Sequence, residues 1–175
     1  MPPINKRMAI AVLSVSAAAF GTWKASEGFT DHAVIPTKGD VPTIGHGSTK
    51  YEDGTPVKMG DRITKHRADQ LARNLMKQDE DALRRSLPDD VRLTQAEWDT
   101  YVDFIGQYGI GNWRKSAMRR GIIAGDYAAA CHGLLNYRYA AGYDCSTTIN
   151  GQPNKRCWGV WTRQLKRYNA CMGAQ

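Results

Sequence analysis

The chain has 175 residues, enough for one domain of ordinary size, and a hydrophobic share of 42% leaves room for a real core. Lysine and arginine total 24 against 17 acidic residues, a formal net charge of +7. That balance favours polyanionic partners. The basic residues are spread out, however, without the aromatic-flanked stripe of a nucleic-acid binder. Nucleic acid is therefore not an expected partner; a soluble basic surface suffices, and an acidic cell envelope is the remaining polyanion.

From the N-terminus, Lys6 and Arg7 precede an apolar run from Met8 to Trp23. As a helix its sixteen residues would reach about 24 Å, against a hydrocarbon core of about 30 Å. The run is short, and its Ala, Ser and Gly make it weakly apolar, so a membrane would hold it poorly. The basic flank would stay inside and place the rest of the chain outside. Three readings stand: a releasable anchor, a signal peptide cleaved near Ala17-Ala18-Ala19, and a buried N-terminal helix.

Residues 29 to 61 are rich in Gly, Pro, Thr and Asp and read as short strands and turns. Thr64 caps a helix to about Leu87, with Leu71, Leu75 and Leu83 on one side and Pro88 closing it. Thr94-Gln-Ala-Glu97 is a capping box, followed by Trp98, Tyr101, Val102 and Ile105 at helical spacing; Trp98 reads as core. Gly106, Gly109 and Gly111 interrupt that pattern. Ser116 to Ile123, Asp126 to Tyr139 and Val160 to Asn169 read as further helices. The layout is α+β, a small β-containing N-terminal lobe before a larger helical C-terminal lobe, with a cleft between them.

The four cysteines, Cys131, Cys145, Cys157 and Cys171, all lie in the last third and form no C-x-x-C pair of the zinc or redox kind. Three disulfide pairings are possible, and sequence does not choose among them. Cys145 and Cys157 bracket a polar segment with little to pack, where a local staple makes sense; Cys131 with Cys171 would then tie down the C-terminus. Persistent disulfides imply an oxidising compartment such as the periplasm.

Glycoside hydrolysis needs one protonated carboxylic acid at the leaving oxygen and a second carboxylate that handles water or the sugar cation. Glu27 follows the apolar run, and burial against it would disfavour the ionised form. Asp40 lies in a Gly- and Pro-containing turn open to water, and Thr43 offers a hydroxyl to orient a water. A Glu and an Asp at such a separation are common, and spacing alone carries little.

The order of motifs carries more. Glu27-Gly28, Asp40 and Thr43-Ile-Gly-His-Gly47 resemble the Glu…Asp…Thr-Ile-Gly pattern of the phage-type lysozymes of glycoside hydrolase family 24. Leu93-Thr-Gln-Ala-Glu-Trp98 and Phe104-Ile-Gly-Gln107-Tyr-Gly109 resemble the family's central helix and cleft-lining segment. Gly125-Asp-Tyr127 and Gly159-Val-Trp-Thr-Arg163 resemble its later helices. The resemblance implies a lysozyme-like fold over residues 26–175 and an inverting muramidase with no cofactor and no metal. Glu27 would be the general acid, and Asp40 with Thr43 would position the attacking water. Gln107, Tyr137 and Arg138 would bind substrate. His46 matches no catalytic residue of the family and reads as a structural or surface histidine. The family's usual Asp position falls on Pro36, which carries no carboxylate; Asp40 is the best substitute and Asp31 the alternative.

Residues 1–25 resemble the signal-anchor-release segment of the family's secreted members. Lacking cysteine, it resembles the subgroup activated by refolding. The implied protein is a monomeric phage endolysin, tethered to the inner membrane through residues 8–23 and then periplasmic in a Gram-negative host, with peptidoglycan as substrate. A lytic transglycosylase and a non-enzymatic envelope-binding protein are the rival readings.

Overall fold

The N-terminal apolar run does not form one helix. In the computed structural model, which describes residues 6–175, Met8–Ala9 is a strand, β1, Ile10–Val12 is a turn of 3-10 helix, and helix α1 begins only at Ala17 (Ala17–Glu27). Residues 1–5 of the expected anchor lie outside the described residues. Arg84 accounts for part of the break: it donates to the carbonyls of Ile10 (3.2 Å) and Leu13 (2.8 Å), groups a continuous helix would have used itself. Ser16 then caps α1, its side chain accepting from the Ala19 amide at 3.1 Å.

The chain divides into two compact units. One is Val15–Ala82; the other joins the residues up to Ser14 with Leu83–Gln175. Within Val15–Ala82, α1 leads to the antiparallel strands β2 (Thr30–Val34) and β3 (Thr43–Gly45), paired Thr30 to Gly45 and Val34 to Thr43. Helix α2 (Lys65–Arg85) follows, started by Thr64, whose hydroxyl accepts from the Arg67 amide at 3.2 Å. Ala33, Ile44, Val57, Ile63, Ala68 and Leu71 form the core here, with Leu75 and Tyr51 against it. β3 runs so close to α2 that a Cβ on Gly45 would stand 3.0 Å from that of Ala68. The connecting loop is pinned by Glu52, which accepts from both arms of Arg67 (2.6 and 2.8 Å) and from Asn74 (2.8 Å). The Arg67 guanidinium, and after it the Asn74 amide, holds the Glu52 carboxyl down at about 2.

In the other unit, β4 (Arg92–Leu93) pairs with β1, Met8 to Leu93 and Ala9 to Arg92. The expected capping box is formed: Thr94 accepts from Glu97 N and Glu97 from Thr94 N. Helix α3 (Gln95–Lys115) buries Trp98, Tyr101, Val102, Phe104, Ile105 and Trp113, and breaks at Gly109 (φ 79°, ψ 157°), one of the three glycines that interrupt the apolar pattern. Helices α4 (Ala117–Ile123) and α5 (Tyr127–Gly133) cross closely enough that a Cβ on Gly121 would lie 2.8 Å from Ala130 N.

The helix expected to reach Tyr139 ends at Gly133. A Cβ at that glycine would meet Met118 N at 2.9 Å, and the chain passes into a 3-10 turn at Leu134–Asn136. Two hairpins follow: β5 (Tyr139–Ala140) with β6 (Tyr143–Asp144), and β7 (Thr148–Ile149) with β8 (Gln152–Pro153). Helix α6 (Trp158–Met172) outruns its expected bounds at both ends. Cys131–Cys171 joins α5 to α6, and Cys145–Cys157 closes the hairpin segment. The second hairpin is the polar segment between Cys145 and Cys157; its strands are exposed and two residues long, too short to show an alternation of apolar and polar residues.

Candidate active site

Glu27 is the last residue of α1. The helix stops there because Gly28 takes φ 74°, a conformation only glycine adopts freely, while its amide still donates to Lys24 O at 3.2 Å. Phe20 is the buried residue of α1, and Glu27 itself is exposed. The expected desolvation of Glu27 by the apolar segment is therefore not found within this unit: its side chain leaves the helix at the turn.

The carboxylate of Glu27 faces the turn after β3. Ile44 and Ser48 exchange backbone hydrogen bonds (2.9 and 3.0 Å) around Gly45-His46-Gly47, with φ of 65° at Gly45 and 81° at Gly47. A Cβ on Gly47 would lie 3.5 Å from Glu27 Oε2. The Thr-Ile-Gly-His-Gly motif thus brings a backbone turn up to the carboxylate. Thr43, half-buried at the start of β3, donates to Val34 O at a long 3.4 Å.

Asp40 closes a separate turn, its amide donating to Thr37 O at 2.9 Å with Gly39 at φ 94°. It is exposed and lies three residues before Thr43, the first residue of β3. Asp31 lies on β2, also exposed, and its carboxylate is engaged by the His32 ring at 2.6 Å and by Arg62 at 3.9 Å. The His32 hydrogen bond holds Asp31 below the usual carboxylate range. Of the two candidates, Asp40 is the one not tied to a neighbouring cation by these contacts.

Behind the turn stands a network that no periodicity or spacing in the sequence signals. His46 is buried; its Nδ1 meets Gly28 O at 2.5 Å and its Nε2 meets Asp69 Oδ1 at 2.8 Å. Asp69, on α2, also accepts from Lys24 Nζ at 2.9 Å. Lys24, and after it His46, holds the Asp69 carboxyl below its ordinary range. The rings of Trp23 and Phe29 lie 6.2 and 5.8 Å from that of His46. His46 is thus not a surface residue: it is buried and hydrogen-bonded at both ring nitrogens, by partners that only the fold brings together.

The other candidate residues lie in the second unit. Gln107 is exposed on α3. Tyr137 packs edge-on against Phe104 (4.6 Å between centroids) and beside Tyr108 (5.1 Å), and its hydroxyl donates to Asn112 O at 3.2 Å. Arg138 donates to Asp144 at 3.0 Å and lies over the Tyr139 ring at 5.3 Å. Among the described residues, no group of three or more His, Cys, Asp and Glu side chains could hold a metal ion.

Comparison with solved structures gives the same fold. An endolysin from Escherichia coli O157:H7 phage FAHEc1 superposes with a TM-score of 0.73 at 23% identity, covering 94% of this chain and 96% of that one. A mutant of P22 lysozyme superposes at 0.70 and 22%, covering 92% and 99%. The muramidase domain of SpmX from Asticaccaulis excentricus superposes at 0.66 and 22%, covering 93% and 97%. No curated protein matches by sequence. At these identities the superpositions establish a lysozyme-like fold with a helical majority. The sequence profile named Phage lysozyme goes further, because it matches residues 24–158, from just before Glu27 to the start of α6; this chain belongs to the phage lysozyme family.

Proposed function

We propose that the protein is a phage endolysin, a muramidase that hydrolyses the β-1,4 bond between N-acetylmuramic acid and N-acetylglucosamine in peptidoglycan. The observation that carries this reading is the continuous family match over residues 24–158, which spans Glu27, its facing turn and the helices that follow. Endolysin and muramidase relatives of the same fold support it.

Within that reading Glu27 is the general acid that protonates the leaving glycosidic oxygen. Its support is a fixed place at the end of α1 against the Gly47 turn. Asp40 and Thr43 position the attacking water, with the exposed carboxylate of Asp40 and the weakly engaged hydroxyl of Thr43 in support. Inversion follows from attack on the face opposite the acid. Exposed Gln107 contacts the sugar, while Tyr137 and Arg138 support the substrate side of their own unit. No second protein is needed, and the monomer is the active form.

The N-terminal residues act as a signal-anchor that is later released into the periplasm of a Gram-negative host. In this fold, among the described residues, no helix is long and apolar enough to cross a membrane. A tethered state would therefore hold residues 8–23 in a different conformation. Terminal peptide mapping of exported protein tests the anchor: a new N-terminus at Phe20 would replace it with a cleaved signal.

Mass spectrometry of digested peptidoglycan, with Glu27→Gln as control, tests the activity. New reducing muramic acid ends are expected. Anhydro-muramic ends would make the protein a lytic transglycosylase and remove Asp40 from its role, and the absence of any product would leave only an envelope-binding fold.

A further inference from the structure

His46 sits between two acceptors. A backbone carbonyl such as Gly28 O cannot donate, so Nδ1, at 2.5 Å, must carry a proton. Nε2 faces Asp69 at 2.8 Å. Asp69 also takes the Lys24 ammonium and is held below the ordinary carboxylate range, so it too accepts. A neutral imidazole has one N–H and could satisfy only one of these partners.

We infer that His46 is a doubly protonated positioning residue, whose imidazolium ties the carbonyl next to Glu27 to α2 and so fixes the general acid against the Gly47 turn. The inference rests on Glu27 being the acid. Of the charged groups nearby, Asp69 from α2 meets the ring, Lys24 from α1 shares that carboxylate, and Glu27 from α1 faces the adjoining Gly47; the rings of Trp23 and Phe29 lie tilted to it at 6.2 and 5.8 Å. The ring is buried, so water cannot replace either partner readily.

The consequence is geometric. Gly28 is the pivot at which α1 ends, and Glu27 is the residue before it. Releasing the Gly28 carbonyl frees that pivot and lets the acid drift from its place, while sites that bind sugar elsewhere are untouched. The loss should therefore appear in kcat rather than in KM.

The test uses the full chain in two arms. In wild type, nitrogen NMR of the four histidine rings is followed through a pH titration. Both ring nitrogens of His46 should carry protons at neutral pH. A single protonated nitrogen would overturn the inference, and this arm needs no variant that folds. In the second arm His46→Gln, which keeps an amide donor at one end but carries no charge and cannot donate from two opposite sides, should lower kcat on the order of 10-fold or more with KM little changed. An unchanged kcat would also overturn it. Glu27→Gln, run in parallel, separates the two claims: an inactive Glu27→Gln beside a fully active His46→Gln removes the positioning role alone, whereas an active Glu27→Gln removes the catalytic reading as well.

Discussion

Arg7 and Glu97 lie ninety positions apart and meet at 3.1 Å, a half-buried guanidinium against a fully buried carboxylate. Glu97 closes the capping box of α3 through Oε2, and its Oε1 also accepts from Gln175 Nε2 at 2.9 Å. Arg7 lies over the Tyr127 ring at 3.8 Å. Arg7 and Gln175 thus converge on one carboxylate. Arg7→Leu leaves that charge buried without its cation and should cost about 2–4 kcal/mol in denaturant unfolding. Adding Glu97→Gln should recover part of the loss, and additive losses in the double variant would argue against the pair.

The two candidate carboxylates should separate in a rate assay on purified peptidoglycan. Asp40→Asn is expected to lower kcat on the order of 10²-fold or more. Asp31 is engaged with His32 and Arg62, and Asp31→Asn should leave the rate within a few-fold. The reverse ranking would move the water-positioning role to β2.

The two disulfides should contribute unequally. All four cysteines are paired, with sequence separations of 40 for Cys131–Cys171 and 12 for Cys145–Cys157. In the loop-entropy account the longer closure stabilises by about 4 kcal/mol and the shorter by about 3. Cys131→Ser with Cys171→Ser should therefore lower the unfolding midpoint more than Cys145→Ser with Cys157→Ser. Equal or inverted losses would mean that the closed loops do not set the contribution.

Asp79 on α2 is raised by burial from 3.8 to about 6, with Lys50 offsetting part of that shift. Over the interval between those values the folded chain keeps a proton that the unfolded chain has lost. Stability from this group is thus present below the lower value, declines as pH rises to the upper one, and stays at the reduced level beyond. Because the site is only partly buried, the effect at neutral pH is on the order of 1 kcal/mol. Asp79→Asn should raise the neutral-pH midpoint and remove that step; a variant less stable than wild type at pH 7 would contradict the account.

What the sequence made legible was whatever local chemistry dictates. The Thr94–Glu97 box, the core face of α3, the break at Gly109 and the helix started by Thr64 are all written in residues four or fewer apart. The Glu27 turn was legible through its family pattern. The Lys24–Asp69–His46 chain was not, because its members are separated by 45 and 23 positions and nothing in their own neighbourhoods distinguishes them. The break in the N-terminal run was hidden for a related reason: its composition suits a helix, but in this fold Arg84 and β4 supply competing partners from far along the chain. Exposure of Glu27 likewise depends on where Gly28 turns the backbone.

The β1–β4 register sets an order of assembly. Val15–Ala82 is one unbroken stretch, nested between the two pieces of its companion unit. During synthesis the nested unit can close on itself while the companion still lacks everything beyond residue 82. Met8 and Ala9 must wait for Arg92 and Leu93, which are made later, before their strand has a neighbour. The strand Met8–Ala9 is then among the last parts to settle, and whatever occupies it in the interval competes directly with completion of the fold.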